Sequence, residues 1–266
     1  MNDKEFQKIR SLIEDLLKKE DIDNNAKLNE CLRYLAKHRS ARIANTIIQK
    51  QGREILYGPF KGMNFIDNVS EGCYVPKLLG IYESELHEYI NQIVLNKPDI
   101  FINVGSAEGY YAVGLKKLLP DTDVFAFDTD INAQEKCKEL SIMNNVNINI
   151  EGEFSSGILD NFKNKKVAFM CDIEGDESNL ITEETIDIYS EIEVCIELHY
   201  NNNGKHNVGL IPKMFQRSHK TELVMQKGKS FIVPEFIANL SDLDILLSAW
   251  EYRSYPTPWL IAKPLQ

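Results

Sequence analysis

The chain has 266 residues, 43% of them hydrophobic and 26% charged, enough for one α/β domain with a smaller appendage. Its formal net charge of −10 disfavours nucleic acid as a partner, because phosphate binding needs a basic surface. No apolar run reaches the roughly 18 residues of a membrane span, and Met1–Glu20 lacks the apolar core of a signal peptide, so the expectation is a cytoplasmic protein with no membrane partner.

Residues 1–52 read as a helical region. Phe6, Ile9, Ile13, Leu16 and Leu17 recur at helical spacing, a second helix is expected from about Asn25 to His38, and a third over Ala41–Gln49. Their apolar stripes need burial, against the main domain or in a homo-oligomer built through these helices. Residues 53–98 read as a hairpin and a linking helix: strand-like runs at Arg53–Tyr57 and Met63–Ile66 flank Gly58, Pro59 and Gly62, and helical spacing returns over Glu83–Leu95.

From Asp99 to the C-terminus, residues 99–266, strand and helix alternate. The strand-like runs are Ile100–Val104, Val124–Phe127, Val146–Ile150, Val167–Cys171 and Val194–Leu198, with Leu223–Met225 and Trp259–Ala262 completing seven. Helices are expected over Tyr110–Leu119, Ile131–Asn144, Ser178–Tyr189 and Leu240–Trp250, with only a turn or two at Ser155–Phe162. Such alternation builds an α/β fold around a mostly parallel, Rossmann-like sheet. Lys205–Lys229, the most basic stretch, reads as a solvated face, and Asn201–Gly204 as a polar loop. The five cysteines are odd in number and form no C-x-x-C pair, which predicts reduced, buried thiols. His38, His87, His206 and His219 read as surface residues.

The sharpest local signal is Asn103-Val104-Gly105-Ser106-Ala107-Glu108-Gly109-Tyr110, which leaves an apolar strand and opens a helix. Glycine at 105 permits a tight turn, and glycine at 109 a close approach of helix to strand. Asp128 ends the next strand, where a carboxylate about 20 residues after the turn typically holds ribose hydroxyls. Ala107 stands where a dinucleotide fingerprint has its second glycine. A pyrophosphate needs that glycine and S-adenosylmethionine (SAM), which has a ribose but no phosphate, does not. The residues therefore favour SAM over NAD.

These segments resemble FkbM-type SAM-dependent methyltransferases. Residues 103–111 are similar to the family's D-x-G-A-N-x-G-Y-Y, Phe127-Asp128-Thr129-Asp130 to its F-E-P-D, Asp172–Glu177 to its D-x-E-G-x-E and Glu197-Leu198-His199 to its E-x-H. The resemblance covers residues 99–200, with Gly80-Ile81-Tyr82-Glu83 similar to a segment upstream. Asn103 replaces an acidic residue, Glu108 a hydrophobic one, and Asp128 a glutamate. The resemblance implies class I methyltransferase architecture and O-methylation of a hydroxyl on a saccharide or other small molecule. The alternatives are a non-catalytic SAM-binding or regulatory protein, and a nucleic-acid methyltransferase. The last is disfavoured by the charge and by Cys171–Gly175, which lacks the N/D-P-P-Y segment.

The cofactor set is then Gly105, Ser106, Ala107, Glu108, Gly109, Asp128 and Asp172. Chemistry is expected at the carboxyl ends of the fourth and fifth strands, with Asp172, Glu174 and His199 as the catalytic candidates. His199 can act as a general base. Alternatively Asp172, Glu174, Glu197 and His199 can ligate Mg²⁺ or Mn²⁺. A third reading has Asp172 and Glu174 capping the next helix. Tyr82 and Glu83 either close over the cofactor or start a helix, and Asp130 reads as an N-cap.

Overall fold

The computed structural model describes residues 3–265 apart from 68, 70–72, 201–203, 205, 206 and 254. The expectations for His206, Lys205 and the Asn201–Asn203 loop lie outside the described residues. Two helices lead, α1 (Asp3–Lys18) and α2 (Asn24–Gln51). The break expected near residue 39 does not occur, since no glycine or proline interrupts 24–51. The Asp23 side chain caps the first turn of α2, and Gly52, at φ 79°, ends it.

The expected hairpin is reduced to a single bridge, Glu54 to Asn64. The Phe65 amide on Arg53 O and the Ile55 amide on Met63 O flank it, the Gly62 amide turns back to Ile55 O, and the Leu56 amide donates outward to Leu78 O of α3 (Tyr74–Leu79). A 3₁₀ turn, Ser84–Leu86, then leads into α4 (His87–Asn96).

The core is one seven-stranded sheet: β1 (Ile100–Val104), β2 (Asp123–Phe127), β3 (Asn149–Glu151), β4 (Val167–Cys171), β5 (Glu193–Glu197), β6 (His219–Val224) and β7 (Trp259–Pro264). Their order is β3-β2-β1-β4-β5-β7-β6. The first five are parallel, and β7 runs antiparallel between β5 and β6. Helices α5 (Tyr110–Leu118), α6 (Ile131–Met143), α7 (Glu177–Leu180), α8 (Ile211–Phe215), α9 (Glu235–Ala238) and α10 (Asp242–Ser248) complete the chain.

Side chains alternate between two cores, as strand geometry requires. Phe101, Ala168, Met170 and Cys195 pack beneath α2–α6, while Ile102, Phe169, Cys171 and Val194 pack towards α8 and the 3₁₀ segments on the opposite face. All five cysteines are free and buried. Among the described residues no helix is long and apolar enough to cross a membrane.

Three local expectations need correction. The helix over 178–189 is cut to α7 and a 3₁₀ turn at Ile186–Tyr189, because Thr182 and Thr185 exchange side-chain bonds with the intervening backbone. His219 is buried, not at the surface, with its ring bonded to Ile192 O and Ser218 Oγ. Lys229, in the stretch read as solvated, has a buried ammonium paired with Glu85 and Glu251.

Helix α2 is seated on α3, α9 and α10. Its fixed point is a two-pronged pair from Arg39 to Asp244, both bonds 2.6 Å, and Asp244 also forms the capping box of α10 with Ser241. Hydrogen bonds from Arg39 hold the Asp244 carboxyl down at about 2. A depressed carboxyl contributes its stability above its unfolded value, near 3.9, and loses it as pH falls from there through about 2. Asp244→Ala is therefore expected to cost about 1–2 kcal/mol at neutral pH, because Arg39 is partly solvated. The deficit should shrink markedly as pH falls to about 2. Urea unfolding at the two pH values checks this, and an equal deficit at both would contradict it.

Candidate functional site

The strand order reverses between β1 and β4, and ligands of open α/β sheets bind in the crevice at such a switch point. Asp172 N donates to Val104 O at 3.0 Å, so the chain leaving β4 lies against the chain leaving β1. Gly105, at φ 73°, sits so close that a Cβ there would lie 1.6 Å from Asp172 O. Gly109, at φ 87°, meets Cys137 of α6 instead of a strand; a Cβ would lie 2.5 Å from its Sγ. The second glycine therefore sets a helix–helix contact, a correction to the expected packing against a strand.

Between the two glycines the loop is braced by Asp128. Its Oδ2 accepts the Ala107 amide at 2.8 Å, and its Oδ1 the Asp130 amide at 2.9 Å. Ala107 takes φ 46°, which turns its N–H towards that carboxylate. Each carboxylate oxygen keeps a second lone pair for a ligand hydroxyl. Asp130 caps α6 through the Asn132 amide, as expected. Ser106 Oγ, Asn103 Oδ1 and Trp259 Nε1 are buried without a hydrogen-bond partner. Glu108 is fully buried and ion-paired with Lys77, whose ammonium also lies 4.7 Å from the Tyr82 ring centre.

Three cavities meet here. One of about 220 Å³ runs past Asp128, between Phe127, Gly152 and Phe154. A narrow one of about 20 Å³ is walled by Asn103, Ser106, Lys77 and Trp259. The third, about 240 Å³, lies among Tyr82, His199, Glu251, Arg253 and Tyr255. Asp172 lines all three.

At the third cavity Asp172, Glu174 and His199 converge, with ligand-capable atoms within 4.8 Å of one another. Glu174 reaches the cluster through a left-handed turn, φ 54°. His199 follows the end of β5; the Leu198 amide still bonds to Pro258 O, so Glu197 and His199 face the same side. Glu177 anchors the ring. Its Oε1 meets His199 Nδ1 at 2.8 Å and accepts the Gly175 amide, and its Oε2 accepts Asn207 Nδ2 at 2.6 Å. Burial opposes ionisation of Glu177, but the His199 ring and the amides outweigh it and lower its carboxyl below the usual range. An ionised Glu177 only accepts, so Nδ1 carries the proton. For His199 burial lowers the pKa, but the Glu177 bond and the charges of Glu197 and Glu174 outweigh it and the ring titrates above its ordinary value.

Glu197 is bound on its other side. Its Oε1 accepts from Arg253 and Thr257, and Arg253 reaches on to Glu83 and Glu251. Burial first, then the Glu197 charge, raises the Glu83 carboxyl, and the Tyr111 hydroxyl donates to it. Tyr82 walls the cavity, and Glu83 precedes the 3₁₀ turn. Sequence reasoning missed Lys77, Glu177, Glu251, Arg253, Tyr255 and Thr257. Only Glu177 carried a signal, as the last residue of the segment similar to D-x-E-G-x-E.

No family model matches the chain, and no curated protein does. Solved structures are similar in fold. The O-methyltransferase TomG from Streptomyces achromogenes, involved in tomaymycin synthesis and solved with SAM, is 9% identical over 85% of this chain and 90% of that one, with a TM-score of 0.49. An rRNA methylase from Streptococcus thermophilus is 14% identical over 68% of this chain and 97% of that one, TM-score 0.43. A precorrin-6y C5,15-methyltransferase from Geobacter metallireducens is 12% identical over 67% and 89%, TM-score 0.44. The chain is an α/β protein with a Rossmann-like, mostly parallel seven-stranded sheet.

Proposed function

We propose that the chain is a SAM-dependent methyltransferase of the FkbM type that transfers a methyl group to a hydroxyl on a saccharide or other small molecule. The observation that carries this reading is the meeting of three cavities at Asp172. The cavity past Asp128 suits the adenosine, with the ribose hydroxyls on the carboxylate. The narrow cavity suits the methionyl end, whose ammonium and carboxylate would satisfy Asn103 Oδ1, Ser106 Oγ and Trp259 Nε1. At about 20 Å³ it has room for little more than a water, so Lys77 and Tyr82 must shift when the cofactor enters. The sulfonium would then face the third cavity, where the acceptor lies.

Methyl transfer is an in-line displacement: the S–CH₃ bond breaks, the O–CH₃ bond forms, and S-adenosylhomocysteine (SAH) leaves. The protein supplies alignment and a destination for the hydroxyl proton. Asp172, Glu174 and His199 surround the acceptor end. The cluster can take the proton through His199 Nε2, or hold a divalent cation, Mg²⁺ or Mn²⁺, that lowers the hydroxyl's pKa. The carboxylates lining this cavity disfavour a phosphate-rich acceptor.

Calorimetry tests the cofactor assignment. SAM and SAH are expected to bind and NAD is not. Asp128→Ala should weaken SAH binding by about 1.5–3 kcal/mol through loss of charge-assisted hydrogen bonds. Unchanged SAH affinity in this variant, or NAD binding as tightly as SAH, would overturn the assignment.

A further inference from the structure

We infer that Asp172, Glu174 and His199 form a binding site for one hard divalent cation, Mn²⁺ or Mg²⁺, with Glu197 as its fourth wall. Binding stands on the geometry alone; a part for the cation in methyl transfer rests on the function proposed above. His199 is 3% exposed, and its Nε2 makes no hydrogen bond among the described residues. That atom points into the cluster, 3.8 Å from Asp172 Oδ1, 3.5 Å from Glu174 Oε2 and 3.6 Å from Glu197 Oε2. The spacing is too long for hydrogen bonds and too short for indifference. Ligands held about 2.1 Å from a common octahedral ion stand about 3 Å apart when adjacent and about 4.2 Å apart when opposite. The separations from Nε2 fall within that range, and the ligand atoms of Asp172, Glu174 and His199 all lie within 4.8 Å of one another.

The surroundings prepare the ring as a ligand. Glu177, fully buried, accepts the Nδ1 proton and is itself fixed by Asn207 and Gly175. In the neutral ring this leaves the Nε2 lone pair facing carboxylate oxygens, an arrangement that a shared cation turns from repulsive to attractive. A histidine donating its second nitrogen to a carboxylate is the usual support of a metal-bound imidazole. Carboxylate oxygens with one imidazole suit Mn²⁺ and Mg²⁺ better than a thiolate-seeking ion, and no cysteine sulfur joins the cluster. Glu174 is the adjustable member: its side chain is 72% exposed, and it enters from the turn at 174–175. The cation would sit at the junction where the acceptor hydroxyl approaches. There the O–H bond breaks as the proton passes to a carboxylate or to solvent, and the oxygen lone pair is freed for the methyl group.

The test uses Mn²⁺ alone with the full chain, first stripped by chelator, and follows the loss of the free-ion electron paramagnetic resonance signal. One Mn²⁺ per chain is expected. Glu174→Gln, an exposed change that leaves the fold intact, should weaken it at least tenfold, and Glu177→Gln by about 10–100-fold through the supporting carboxylate. No uptake at millimolar Mn²⁺, or equal affinity in wild type and Glu174→Gln, overturns the site. A ¹⁵N spectrum showing Nε2 protonated both with and without Mn²⁺ overturns it too. SAH binding without Mn²⁺ uptake removes the cation and leaves the cofactor assignment standing. Mn²⁺ uptake without SAH binding keeps the cation and removes that assignment.

Discussion

Gly105→Ala is expected to abolish SAH binding and to destabilise the domain by about 4 kcal/mol or more, a loss reached only when a substitution meets an immovable neighbour. The new Cβ would lie 1.6 Å from Asp172 O, a backbone atom that no rotamer change can move. The residue also sits at φ 73°, where any side chain adds strain of about 1–2 kcal/mol. Relief requires the ends of β1 and β4 to part. That breaks the Asp172–Val104 bond and displaces the Gly105–Gly109 loop together with Asp172. Urea unfolding and calorimetry with SAH read the two effects. Near-native stability with intact SAH affinity would show that the crossing of these two chains is looser than described.

Arg253→Ala is expected to cost about 3–5 kcal/mol, the range for removing one partner of a buried ion-pair network. The guanidinium contacts Glu83, Glu197 and Glu251, each 1–3% exposed at the side chain. Without it these carboxylates must take up protons or draw in water. The loss should be smaller when Glu83→Gln is added, because one uncompensated charge is then gone. It should be only partly rescued by Arg253→Lys, whose single ammonium cannot reach three acceptors. Thermal unfolding of the set decides the matter, and additive losses in the double variant would contradict the network. Since Arg253 also fixes Glu197 beside His199, the variant should lower kcat more than it lowers SAH affinity.

The sheet was legible wherever burial is complete. β1 and β4 begin and end where expected, because each is a continuous apolar run with all five residues buried. β3 was misplaced towards Val146. Its exposed, half-polar residues carry no such signal, and the chain pairs at Asn149–Glu151. Helix α2 was split in expectation because its polar middle, Lys37–Ser40, hides the periodicity. The interior position of Ser40 comes from tertiary packing, which propensity does not report.

The candidate site divides in the same way. Gly105, Gly109 and Asp128 belong to one βαβ unit, so their relation is local and can be read from spacing. Asp172, Glu174, Glu197 and His199 end two neighbouring strands and could be grouped once the sheet was expected. Lys77, Glu83, Glu251 and Arg253 come from the two flanks of the chain, with 31 residues between Lys77 and Glu108, 56 between Arg253 and Glu197 and 170 between Glu83 and Arg253, and no spacing rule joins them. Glu108 shows the consequence. It lies within the loop assigned to the cofactor, but its carboxylate is already engaged by Lys77, so its part is to hold α3 against the loop.

The most direct measurement is a crystal structure of the chain with SAH. The account predicts the ribose hydroxyls on Asp128, the amino-acid end beside Asn103, Ser106 and Trp259, with Lys77 displaced, and the sulfur facing the cavity of Asp172 and His199. SAH absent at saturating concentration, or bound with its sulfur turned away from that cavity, would contradict it.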